Sequence, residues 1–195
     1  MEYIKKAEQT IRNSWFDKHT AEITGEEGFQ VIHWKEKGTF MYHTKFVLSG
    51  NNVFVSGDIG EAVYTLTCRA TLENIKDFNL HYFTEKLQAL HRDRWDFDTS
   101  LAKKELKQYW KEYELKEKYA ESNEVYEEIV SAIDESNSLE SYRAWLLHVY
   151  QNGILDSDDI EEIWNFGKRL PYCLIGYWVG LQMAIDQLTK EKAEA

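Results

Sequence analysis

Residues 29–67 read FQVIHWKEKGTFMYHTKFVLSGNNVFVSGDIGEAVYTLT, and the fold turns on how this stretch is taken. Phe40, Tyr42, Thr44, Phe46 and Leu48 alternate with Met41, His43, Lys45 and Val47. A period of two on aromatic and β-branched residues predicts a strand. Ser49-Gly50-Asn51-Asn52 supplies side chains that tolerate positive φ, so the chain can reverse there. Val53-Phe54-Val55 resumes the sheet, Gly57-Asp58-Ile59-Gly60 is a second turn, and residues 62–67 form a further strand. An antiparallel meander of three to four strands is expected.

Working outward from the meander, helices are expected on both sides. Residues 3–16 place Ile4, Ala7, Ile11 and Trp15 at helical spacing, and residues 19–28 read as a connection. Thr71-Leu72-Glu73-Asn74 opens a helical stretch. Residues 79–90 continue it with Leu80, Phe83, Leu87 and Leu90 on one face, Asn79 being a natural cap. Residues 92–99 form a charged aromatic junction where charge balance and periodicity change, so the boundary between domains 1–95 and 96–195 is set there. Beyond it helices are expected over 101–120, 123–134 (seam Val125, Ile129, Ile133) and 139–151. A short one is expected from Ser157, and a last one follows Pro171. Leu174, Trp178, Leu181, Ile185 and Leu188 make its core stripe, while Gly176, Gly180 and Ala184 allow close approach of a neighbour, a possible homodimer contact among them. The expected fold class is α+β: a small antiparallel sheet flanked by helices, then an acidic all-helical C-terminal region.

With 43% hydrophobic and 14% aromatic residues, one proline and ten glycines, the 195 residues have ample material for a core and little for linkers. Cys68 and Cys173 are too few for a disulfide framework or a cysteine-rich zinc site. The first residues are too polar for a signal peptide, and the longest apolar run, 170–185, is short of a bilayer span and carries Gln182. A cytoplasmic protein with no membrane contact is expected.

The formal net charge is −11 and is unevenly spread. Residues 1–95 hold 13 acidic and 12 basic side chains; residues 96–195 hold 21 and 11. Within 121–162 twelve acids face one base, Arg143. Such a field repels nucleic acid and attracts basic surfaces. The expected partner-binding residues are Glu121, Glu124, Glu127, Glu128, Asp134, Glu135, Asp156, Asp158, Asp159, Glu161 and Glu162, with tryptophans and tyrosines interleaved as anchors. The expected partner is a basic protein, and no direct nucleic-acid binding is foreseen.

No catalytic fingerprint is present. If the protein is an enzyme, its site is expected on the sheet at His33, His43, Asp58 and Tyr64, for a small hydrolase or a nucleotide- or RNA-processing activity. There is no His-x-His, His-Glu-x-x-His or cysteine-rich spacing, so neither a metal nor a cofactor is expected. The Gly57-Asp58-Ile59-Gly60-Glu61 turn lacks the lysine and the following helix of a phosphate loop.

Three motifs carry a resemblance: Trp34-x-x-x-Gly38-Thr39-x-x-Tyr42, Gly57-Asp58-Ile59-Gly60-Glu61-Ala62-Val63-Tyr64, and Tyr82-Phe83-Thr84-Glu85-Lys86. On these the chain resembles a family of uncharacterised phage and prophage proteins that carry a W…PGT…Y strand, a GDLGDAVY hairpin and a YF..K helix start. Lys37 stands where that pattern has proline, Ile59 replaces leucine and Glu61 replaces aspartate. Residues 180–188 are similar to the family's closing helix. The resemblance covers residues 29–86 well and the tail loosely, and brings no catalytic role. With the acidic charge it implies a counter-defence protein of the host bacterium's cytoplasm. The form expected is an anti-CRISPR whose carboxylates imitate phosphates on the basic surface of a host protein such as a Cas nuclease.

Overall fold

A computed structural model describes residues 2–194 of the chain. In order, the elements are α1 (Glu2–Thr10), continued by a π-helical turn (Ile11–Trp15), then β1 (Thr20–Glu26), β2 (Phe29–Lys35), β3 (Thr44–Ser49), β4 (Asn52–Gly57), β5 (Ala62–Thr65), α2 (Leu72–Lys76), α3 (Leu80–Glu85) and β6 (Leu87–Leu90). There follow β7 (Asp96–Phe97), α4 (Thr99–Glu112), α5 (Leu115–Lys118), α6 (Ser122–Glu135), α7 (Leu139–Gln151), α8 (Ser157–Ile163), β8 (Lys168–Arg169) and α9 (Tyr172–Glu194). The fold is α+β. Among the described residues no helix is long and apolar enough to cross a membrane.

The chain forms two units. One comprises Met1–Asp93 with Pro171–Ala195, the other Arg94–Leu170. This differs from the division 1–95 and 96–195 read from the sequence: the change near residue 95 is there, but the last helix returns to the sheet. A helical pattern says that a helix has an apolar face without saying which neighbour takes it.

In the first unit six strands pair antiparallel in the order of the chain, two or three more than expected. The additional strands are the two edges, β1 and β6. β1 carries Glu22 and Glu26 and reads as polar because an edge strand has one row of neighbours and tolerates charge. β6 lies inside what reads as the continuation of a helix; α3 stops at Lys86, whose N–H is taken by the Tyr82 and Phe83 carbonyls, and the chain extends. The strand expected from Phe40 starts only at Thr44. Tyr42 has φ of 53° and its N–H donates to Asp58 Oδ2 at 2.7 Å, which breaks the alternation.

Ile32, Trp34, Phe46, Leu48, Val53, Val55 and Tyr64 line one face of the sheet and are buried. α9 packs against β1, β2 and β3 and also against α1, α2 and α3. Its polar groups close backbone gaps: Trp178 Nε1 donates to the Phe78 carbonyl at 2.8 Å, Gln182 Nε2 to the Ile75 carbonyl at 2.9 Å, and Gln187 Oε1 accepts from the Ala21 N–H at 3.1 Å. Gln182 is therefore a buried, satisfied core residue. Gly176, Gly180 and Ala184 lie within this packing, so that face of α9 is not left for a second copy. A Cβ on Gly176 would stand 3.1 Å from the Trp15 ring, and one on Gly180 would stand 3.1 Å from Phe16.

The second unit has a core of Ala102, Leu106, Trp110, Leu115, Val125, Ile129, Ile133, Tyr142, Leu146, Val149 and Ile163. The single long helix expected over 101–120 is two: Glu114 takes the left-handed conformation at φ 51° and turns α5 away from α4.

Candidate functional site

At one end of the sheet the loop 36–43 folds against the Gly57–Gly60 turn. Gly57 has φ of 148°, and a side chain there would overlap the His43 carbonyl, so only glycine serves. The Asp58 N–H donates to that carbonyl at 2.8 Å and its carboxylate accepts from Tyr42 N–H. Trp15 stacks on Tyr42 with ring centres 4.7 Å apart. Asp58 is thus engaged in holding the loop. His33 and His43 do come together, their rings stacked at 5.9 Å. Tyr64 does not join them. It is fully buried on the opposite face of the sheet, stacked on Phe83 at 4.0 Å. Of the four residues read from the sequence, His33, His43 and Asp58 come together at this end of the sheet, Asp58 being spent on the loop, and Tyr64 lies apart. Among the described residues no three His, Cys, Asp or Glu side chains lie close enough to hold a metal ion.

A third histidine, His19, was missed because it sits in a segment that reads as a connection. It is 7% exposed and packed on Phe16 and Trp34, and among the described residues neither ring nitrogen makes a hydrogen bond of ordinary geometry. Burial pushes its pKa below the ordinary 6.5, with the neighbouring Tyr42 and Met41 carbonyls and Glu36 acting the other way. His43 is also lowered, by burial and then by His33, Lys35 and Lys45. Both are held neutral in the fold, so unfolding binds protons. Their stabilisation is complete above pH 6.5 and falls as the pH drops below it. Urea midpoints are expected to decline between pH 7.5 and 5 and to decline less in His19→Leu; equal slopes in the two proteins would contradict this.

In the helical unit the sequence-derived acidic surface divides in two. Asp159 is buried at 3% exposure. Tyr109 donates to its Oδ1 at 2.7 Å, Tyr119 donates to Oδ2, and Lys118 Nζ lies 2.9 Å from Oδ2. Asp156 caps α8, accepting from the Asp159 N–H at 2.9 Å, and pairs with Lys118 at 2.6 Å. Burial and then the hydrogen bond to Asp159 push the Tyr119 hydroxyl up to about 12. Lys118 is raised by its bonds to the two aspartates, and Asp156 is lowered by the Asp159 amide and then Lys118. Asp134 pairs with Lys103 at 2.6 Å. Asp159 is therefore withdrawn from the docking surface, and Asp156 and Asp134 are already matched. The Asp-Ser-Asp-Asp run signals a helix start; nothing in it shows that the last aspartate turns inward, since Tyr109 lies 50 residues away.

Glu121, Glu124, Glu127, Glu128, Glu135, Asp158, Glu161 and Glu162 remain outside the core, and among the described residues none forms an ion pair. The sheet offers a second surface that periodicity alone does not reveal. Register places Val31, Val47, Phe54, Val63 and Ala89 opposite one another across five strands, with Phe54 41% exposed.

No family model, curated protein or solved structure matches the chain.

Proposed function

We propose that the protein acts by binding, and that the carboxylates exposed on α6 and α8 dock on a cationic surface of a partner that otherwise holds nucleic-acid phosphates. The observation that carries this is the set of eight acids without an ion-pair partner among the described residues, in a unit that holds 18 acidic and 10 basic side chains. Arginines that grip phosphates grip carboxylates with the same forked geometry. Together with the resemblance of its motifs to phage and prophage proteins, this makes a counter-defence role our reading, and a Cas nuclease the partner class to test first.

The test is binding of the purified protein to a Cas nuclease with and without its guide RNA, at low and high salt. Attraction between opposite surface fields predicts binding that weakens as salt rises and that nucleic acid competes away. Glu127→Lys, Glu128→Lys, Glu161→Lys and Glu162→Lys combined should weaken it by about two orders of magnitude. The thermal midpoint should hold, because these side chains are at the surface. Undiminished binding by this variant would remove the reading.

A further inference from the structure

Acids outnumber bases in the helical unit, yet three lysines gather in one place. Lys107 and Lys111 on α4 and Lys116 on α5 rim a concavity of about 550 Å³ whose third wall is α6. Among the described residues none of the three pairs with a carboxylate, although the unit has 18 acids against 10 bases.

The lining is aromatic as well as cationic. Trp110 lies between the two α4 lysines, and Tyr126 of α6 meets it edge to face, ring centres 5.2 Å apart and planes at 70°. Tyr119 holds the other side of the indole at 6.3 Å. Trp110 is 6% exposed and held between these two rings, so half-buried Tyr126 is the aromatic surface open to the concavity. Asn123, Glu114 and Glu117 complete the lining with acceptors for hydroxyl or amine hydrogens. The volume lies within the range of ligand sites, about 300–1,000 Å³.

We propose that this concavity binds a nucleoside monophosphate. The phosphate sits against Lys107, Lys111 and Lys116, the base stacks on Tyr126, and the ribose hydroxyls and ring amines donate to Asn123, Glu114 and Glu117. Each part of the ligand answers one part of the lining. A free phosphate would leave the Tyr126 ring unused and would meet two glutamates without compensation. An uncharged nucleoside would leave the lysines unmatched. The site shares α6 with the proposed docking surface but none of its α8 carboxylates, so the lysine variant and the α8 variant tell failure of one from failure of the other.

Calorimetric titration of the full chain with AMP tests it. The expected result is saturable binding with a dissociation constant below about 1 mM, and at least about tenfold weaker binding of adenosine alone and of inorganic phosphate alone. Lys107→Glu with Lys111→Glu should weaken AMP by at least about tenfold, as should Tyr126→Ala. Glu161→Lys with Glu162→Lys, and Lys45→Glu on the sheet, should leave it unchanged. The lysines are exposed, so their variant is expected to keep the wild-type circular dichroism spectrum, which makes its loss of binding interpretable. No saturation by about 10 mM AMP overturns the proposal, as do undiminished binding by the double lysine variant and phosphate binding as tight as AMP. Binding of a single-stranded oligonucleotide where AMP does not bind overturns it in favour of a polymer.

Discussion

Asp159→Ala is expected to destabilise the helical unit by about 4 kcal/mol, as removal of one member of a buried, hydrogen-bonded charge network does. The substitution strips the acceptor from two tyrosine hydroxyls and a counter-charge from Lys118 at once. Tyr109 is 9% exposed, so its hydroxyl cannot turn to water without moving the core. Asp158→Ala, one residue away and exposed, should change stability by less than about 0.5 kcal/mol. Asp159→Asn keeps an acceptor but no charge and should fall between. The network also has an optical signature. Tyr119, held protonated to about 12, should return towards its ordinary 10 when Asp159 is removed, and absorbance titration reads this directly. Because folding holds this hydroxyl protonated, its contribution is complete below pH 10 and is lost as the pH rises towards 12. A wild-type urea midpoint in Asp159→Ala would show that the carboxylate is not the hub of this core.

Gly180→Leu should destabilise the sheet unit by about 3 kcal/mol, at the upper end of what overpacking does in a filled core. Phe16 and Trp34, 1% and 2% exposed, stand 3.1 and 3.3 Å from the point where a Cβ would begin, and neither ring has space to retreat. Gly180→Ala makes the contrast. There the tight contact opposes a helix-propensity gain of about 1 kcal/mol, and the two nearly cancel. Urea unfolding followed by near-ultraviolet circular dichroism would separate the pair. Equal stability of the leucine and alanine variants would mean that α9 does not seat on Phe16 and Trp34.

What could be read from the sequence was whatever depends on neighbours in the chain. The β3–β4 hairpin came through because Phe46, Leu48, Val53 and Val55 alternate and Gly50 turns between them. Asn79 was recognised as a cap, and its side chain does accept from the Tyr82 N–H at 2.9 Å. Pro171 lies just ahead of α9, as expected. What escaped depends on residues distant in sequence. β1 and β6 look like loop and helix because edge strands need few apolar side chains. Tyr42 leaves the strand because of Asp58, sixteen residues on. Of the candidate sites, the histidine pair was anticipated from adjacent strands, whereas the inward turn of Asp159 and the burial of Tyr64 were not. Residue type cannot distinguish an aspartate bonded to two tyrosines from one facing water.

The return of α9 to the sheet has a bearing on synthesis. Ala21 and Gln187 are bonded across 166 residues, and the helical unit is the chain between. As the polypeptide leaves the ribosome, residues 94–170 emerge before α9, while β1 to β3 wait for the helix that packs on them. The helical unit is free to fold first and the sheet unit last. A chain stalled or nicked before α9 would leave the apolar face of those strands open to chaperones and proteases.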